Sequence, residues 1–126
     1  MSTGDEWAAV CLFYAAYHDV KAALIDDPIF DSHDACQTRS AQLFPDDRHA
    51  SAHKARRGGH SLGVNDVVSI LYKRASGTYE RLHQMSIDVR YGGGLAAGAR
   101  EALPGVDAKF TDLVASGALT SGVDPT

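Results

Sequence analysis

The sequence predicts an all-α protein, an up-and-down bundle of about four or five helices. Apolar side chains recur every three to four residues in three long segments, and no segment alternates apolar and polar residues as a half-buried strand does. The 126 residues, 44% of them apolar, suit one domain with a single core. We expect that domain at residues 5–119 and a frayed tail at 120–126.

The first helix is predicted from about Glu6 to Ile25. Asp5 is expected to cap its start, and the turn at Pro28 follows its end. Its apolar residues lie nearly all round, so it is expected to be the central helix of the bundle.

Residues 28–61 form a long connection with room for one short helix at 46–57, and connections of this length are usually functional or mobile. Asn65 is expected to cap a second helix, which Gly77 interrupts or kinks and Gly92-Gly93-Gly94 ends. A last helical stretch is split at Pro104-Gly105. The predicted core includes Trp7, Tyr14, Tyr17, Val68, Leu71, Tyr72, Leu82, Met85 and Phe110.

A net charge of −4 argues against a protein that coats nucleic acid by bulk electrostatics. Residues 46–60 are nevertheless locally basic, which favours a defined phosphate site; a solvated loop is the alternative. No cofactor or metal is expected, because Cys11 and Cys36 lack zinc spacing and no other ligand set clusters. With neither a secretory signal nor an apolar run of about 20 residues, we expect a cytoplasmic protein without membrane contact.

Three segments carry a family resemblance: Phe13-Tyr14-Ala15-Ala16-Tyr17-His18, His53-x-x-Arg56, and Tyr79-x-x-Leu82-x-x-x-Ser86-x-x-x-Arg90-Tyr91. Together, over roughly residues 7–91, they resemble the small prokaryotic HEPN-like helical proteins. The resemblance implies a bundle that is commonly dimeric. Many HEPN domains are metal-independent ribonucleases or RNA-binding modules of toxin–antitoxin and anti-phage systems; others bind nucleotides or have no established activity.

The catalytic HEPN signature is an Arg followed, after four to six residues, by a His. Only Arg48 and His53 have that spacing here, and they lie earlier in the chain than the family's motif, which usually sits near the last core helix. The pair is therefore either catalytic or a chance match in a segment rich in Arg and His.

Cleavage of RNA by its own 2′-hydroxyl needs a general base and acid, which histidine can supply, and a cation on the phosphate oxygens. The predicted catalytic residues are His18, His53 and Arg48, and the predicted substrate-binding residues are Arg56, Arg57, Arg90 and Tyr91. His18 and Arg90-Tyr91 are expected to approach the segment from His53 to Arg56. The structural alternatives are a buried, hydrogen-bonded His18 and an Arg90 that complements a helix dipole.

Two functions stay open. The first is an RNA-directed module, as a binder or a metal-independent ribonuclease, with RNA or a nucleotide as ligand and a homodimer as the assembly. The second is a non-catalytic helical protein that dimerises or binds a partner protein. The first requires the His and Arg side chains to converge within about 7 Å of one phosphate position.

Overall fold

The computed structural model describes residues 3–51, 62–91 and 99–123. These residues form helices and no strand, so the predicted all-α bundle is confirmed. Two 3₁₀ helices occupy Pro28–Asp31 and Pro45–His49. The α-helices within these ranges are α1 (Thr3–Asp26), α2 (His33–Arg39), α3 (Val64–Leu71), α4 (Lys73–Tyr91) and α5 (Ala99–Ala115).

The central helix is α4, which packs against α1, α3 and α5. Its Tyr79 is fully buried, and the rings of Phe13 from α1 and Phe110 from α5 approach it at centroid distances of 5.5 and 6.2 Å. The expectation that α1 is central is wrong. Among the described residues, none covers Trp7 and Ile25 of α1, which are 55% and 48% exposed, because apolar composition does not say which side of a helix finds a neighbour.

Most of the predicted core is confirmed. The buried members are Val68, Leu71, Tyr72, Leu82, Met85 and Phe110. Tyr14 and Tyr17 are partly buried and pack against that core. Trp7 does not belong to it.

Helix starts depart from the prediction. Helix α1 begins at Thr3, so Asp5 lies inside it rather than at its cap. Gly63, not Asn65, is the N-cap of α3, and the Asp66 carboxylate accepts a hydrogen bond from the Gly63 backbone N–H at 3.1 Å. The long connection contains α2 and both 3₁₀ helices; of the helix predicted at 46–57, residues 46–49 are 3₁₀ and 52–57 lie outside the described residues.

The predicted interruption at Gly77 and the predicted split at Pro104-Gly105 are wrong, while a kink at Gly77 stays a prediction. Both residues lie inside continuous helices, α4 and α5. The break falls at Tyr72, whose backbone (φ −117°, ψ 54°) separates α3 from α4. Pro104 stands near the start of α5, where proline costs the helix a backbone hydrogen bond without ending it. The predicted stop at Gly92-Gly93-Gly94 lies outside the described residues.

A buried carboxylate, Asp27, joins distant parts of the chain. Its Oδ1 accepts hydrogen bonds from the Ile29 N–H at 3.1 Å and the Ser121 hydroxyl at 2.5 Å. Its Oδ2 accepts from the Tyr72 hydroxyl at 3.0 Å and the Ser121 N–H at 2.9 Å. Burial and the adjacent carboxylate raise the pKa of the Tyr72 phenol, which keeps it a donor. Within the tail predicted to fray at 120–126, Ser121 is buried and bonded to Asp27, and residues 124–126 lie outside the described residues, so the fraying stays a prediction.

Replacing Asp27 by alanine should lower the free energy of unfolding by about 3 kcal/mol or more, because four donors lose a charged acceptor inside the protein. Asp26→Ala is the matched control, since Asp26 is exposed and its loss should change stability by less than about 0.5 kcal/mol. Urea unfolding followed by circular dichroism measures both. Equal stabilities for the two variants would contradict the role given to Asp27.

Replacing Gly77 by alanine should raise the free energy of unfolding by about 0.5–1 kcal/mol. Gly77 is exposed within α4, and a Cβ built there meets no atom within 4 Å, so alanine gains helix propensity without a clash. The same urea titration measures the change. A destabilised Gly77→Ala variant would show that the helix needs glycine at this position.

Candidate functional site

The predicted site residues fall into two groups. His53, Arg56 and Arg57 lie outside the described residues, so their placement stays a prediction. Arg48, His18, Arg90 and Tyr91 are described and occupy different surroundings.

Arg48 joins the two 3₁₀ helices. Its Nη2 donates to the Asp27 carbonyl oxygen and to the Asp31 carboxylate, each at 2.8 Å, and its guanidinium lies 5.6 Å from the centre of the Phe30 ring. The ion pair with Asp31 compensates its charge. These contacts account for Arg48 as a structural residue, and its catalytic role stays a prediction.

Arg90 lies between two tyrosines, and we call Tyr14, Arg90 and Tyr91 the Arg90 cluster. Arg90 Nη1 donates to the Tyr14 hydroxyl at 2.9 Å, and Nη2 donates to the Tyr91 hydroxyl at 2.8 Å. The guanidinium lies 5.8 and 5.0 Å from the two ring centres, within cation–π range. Tyr91 is 73% exposed, so one side of the cluster faces solvent.

His18 lies on α1 one turn after Tyr14, which puts the two residues on one side of the helix. Its ring meets the Tyr17 ring edge-on, with centroids 5.6 Å apart. The alternative of a buried imidazole is wrong, because His18 is exposed. Its side chain is therefore accessible to a ligand.

The chain ahead of His53 is held against α1 near His18. The Tyr17 hydroxyl donates to the carbonyl oxygen of Ser51 at 2.9 Å, and the Lys21 ammonium donates to that of Ala50. Ser51 precedes His53 by two residues. The chain that leads into the segment from His53 to Arg56 thus lies beside the helix that carries His18.

One histidine that the sequence did not indicate as a candidate, His83, is buried. His83 of α4 is 8% exposed and stacks on Phe13, with centroids 4.7 Å apart. Asn65 Nδ2 lies 2.9 Å from its Nδ1, so Asn65 helps to orient the ring. Asn65 Oδ1 and the Tyr79 hydroxyl lack hydrogen-bond partners within the described residues, and burial raises the pKa of Tyr79. The four-residue spacing of Tyr79 and His83 was the signal that placed both on the inner face of α4.

A second set of cations also went unnoticed in the sequence. Lys73, Arg74 and Arg81 of α4 and Lys109 of α5 line a cavity of about 330 Å³ between the two helices; we call it the basic groove. The signal was the pair Lys73-Arg74 followed by Arg81 seven to eight residues later, which is close to two helical turns and puts Arg81 on the same side of the helix as the pair.

Within the described residues, no group of three or more His, Cys, Asp or Glu side chains is arranged to hold a metal ion. One stretch, Trp7–Asp31, is long and apolar enough to cross a membrane. About a third of its most apolar part is buried inside the protein. Core helices of soluble proteins meet the same criteria, so the match assigns no location. No family model, curated protein or solved structure matches the chain.

Proposed function

We propose that this protein is an RNA-directed module that binds single-stranded RNA at the Arg90 cluster. The observation that carries the proposal is a guanidinium held between two tyrosine rings, one of them 73% exposed. Unstacked bases bind to aromatic rings and to Arg planes, and each such contact is worth about 1–3 kcal/mol.

The charge of Arg90 supports the same proposal. Its hydrogen bonds within the described residues go to the neutral hydroxyls of Tyr14 and Tyr91, and no carboxylate there pairs with it. The guanidinium therefore keeps its full charge for a phosphate. Because both hydroxyls already fix its position, binding costs less side-chain entropy than for a free arginine.

Metal-independent cleavage is the second part of the proposal, and it draws on the HEPN resemblance, as does a toxin–antitoxin or defence setting. His18 is exposed one turn from Tyr14, and the chain leading to His53 lies beside Tyr17. In this proposal His18 and His53 divide the roles of base and acid, with an arginine on the phosphate oxygens; His53 itself lies outside the described residues.

Binding is tested with fluorescently labelled single-stranded RNA of mixed sequence. Arg90→Gln and Tyr91→Leu should each weaken binding by about tenfold, through the lost charge and the lost stacking surface respectively. Phe44→Leu is the matched control, because Phe44 is also an exposed aromatic residue, 44% exposed, and lies outside the cluster. Unchanged affinity in both cluster variants would contradict the proposed site.

Cleavage is tested by incubating the protein with mixed RNA in EDTA. The wild type should cleave RNA, whereas His18→Ala and His53→Ala should not, with circular dichroism confirming that both variants fold. His49→Ala is the control, since His49 is exposed and was not assigned to the site. If the wild type binds RNA without cleaving it, only the binding part of the proposal stands. If both variants keep full activity, these histidines are not the acid and base.

A second candidate function is self-association through α1. An exposed or half-exposed stripe runs along the helix with spacings of four, three, four and seven residues, the pattern of a helix that packs against another helix. The stripe comprises Trp7, Cys11, Tyr14, His18 and Ile25. The occupant that this pattern favours is the same stripe of a second copy, which would bring two Arg90 clusters together.

Light scattering at tens of micromolar should give the mass of a dimer, and Trp7→Glu with Ile25→Glu should give that of a monomer, because charges would enter an apolar interface. Phe44→Glu is the control, an exposed aromatic residue away from α1. A monomeric wild type would exclude this assembly.

A further inference from the structure

We infer that the basic groove between α4 and α5 is a separate binding site for a chain of linked phosphates. If the ligand is RNA, the inference rests on the RNA-directed function proposed above. If the ligand is an oligophosphate, the inference is independent of that function. Arg81 and Arg90 are nine residues apart on α4, which corresponds to two and a half turns, so the groove and the Arg90 cluster lie on opposite sides of the helix.

The charges of the groove are uncompensated. The cavity lining contains four basic side chains and no carboxylate. Across the described residues, the one ion pair joins Arg48 to Asp31, so no groove cation has a carboxylate within 4 Å. Helices α4 and α5 do carry the acidic residues Glu80, Asp88, Glu101, Asp107 and Asp112, but these lie outside the lining. In a protein of net charge −4, four such cations in one cavity create a local field that attracts anions.

Two of the arginines in this region are held in place by neutral oxygens. Arg74 Nη2 donates to the Ser116 hydroxyl at 2.9 Å, and Arg39 Nη2 donates to the Ser121 carbonyl at 2.6 Å. Such bonds fix the guanidinium without cancelling its charge. Arg74 alone could be explained by its position at the C-terminal end of α5, where a cation complements the helix dipole. That explanation does not account for the presence of Lys73, Arg81 and Lys109 in the same cavity.

The shape favours a chain over a single phosphate. Arg74 and Arg81 are seven residues apart, about 10 Å along α4, so successive phosphates of one chain can each contact one of them. A neighbouring cavity of about 440 Å³ shares Lys73 and Arg74 and adds Arg39, which extends the row of cations. An elongated ligand can contact successive members of that row.

The floor of the groove leaves room for such a ligand. Buried Thr78 and Val106 form part of it, and Gly77 has no side chain to fill the space above. Ligand pockets for apolar small molecules are lined mainly by hydrophobic and aromatic side chains, and this cavity is lined mainly by charged ones. A highly charged ligand matches the lining better.

The test uses Arg81→Gln and Lys109→Gln, singly and together. These two side chains make no hydrogen bond or ion pair within the described part of the chain, so their loss should leave the fold intact, as circular dichroism can confirm. Binding of labelled single-stranded RNA is followed by anisotropy over a series of salt concentrations, and binding of inorganic tripolyphosphate by calorimetry. The double variant should bind roughly tenfold more weakly, and its slope of log affinity against log salt should flatten by about 0.7 per lost cation.

Gln42→Glu is the matched control. Gln42 is exposed and outside both cavities, and its change lowers the net charge by one unit, as each single groove substitution does, so it is compared with the single variants. The control should bind like the wild type if the position of the charge matters rather than its sum.

Displacement of RNA by tripolyphosphate would identify a general phosphate-chain site. RNA binding that is weakened in the double variant, with no affinity for tripolyphosphate, would identify the RNA backbone as the ligand. The inference is overturned if the double variant binds both probes as the wild type does, or if the wild type binds neither. Arg90→Gln separates the two proposals: loss of RNA binding there, with none in the groove variants, would support the Arg90 cluster alone.

Discussion

The arrangement of this bundle depends on the buried carboxylate of Asp27. A buried charge is tolerated only when its oxygens are fully hydrogen-bonded, and four donors do this from the turn after α1, the α3–α4 junction and the C-terminal segment. Arg48 adds a bond to the carbonyl of the same residue. Segments far apart in sequence are thereby fixed around one point, at the end of the bundle where α3 gives way to α4.

Helix α4 begins directly after that junction and carries both candidate sites. Its inner face holds Tyr79 against Phe13 and Phe110, which fixes the rotation of the helix about its axis. Arg90 then lies on the side of α1, beside Tyr14, while Arg81 lies on the side of α5. One helix thus presents an aromatic surface on one side and a basic groove on the other.

The candidate site was predictable only in part. The sequence indicated Arg90, Tyr91 and His18, since cations, aromatics and imidazoles are visible by type. Its alternative of a buried His18 was wrong and it overlooked the buried His83, because exposure depends on which face of a helix is covered. Arg48 has the spacing of a catalytic residue, yet its contacts with Asp27 and Asp31 are structural, and spacing alone carries no information about such partners.

By itself, the sequence determined the helical class and most of the core, because the spacing of apolar residues follows from the geometry of a single helix. Only the tertiary structure decided that α4, not α1, is central, that the chain breaks at Tyr72 and not at Gly77, and that Ser121 is anchored on Asp27. It also brought Lys109 of α5 to the cations of α4. These outcomes depend on contacts between residues distant in sequence, and local patterns do not specify them.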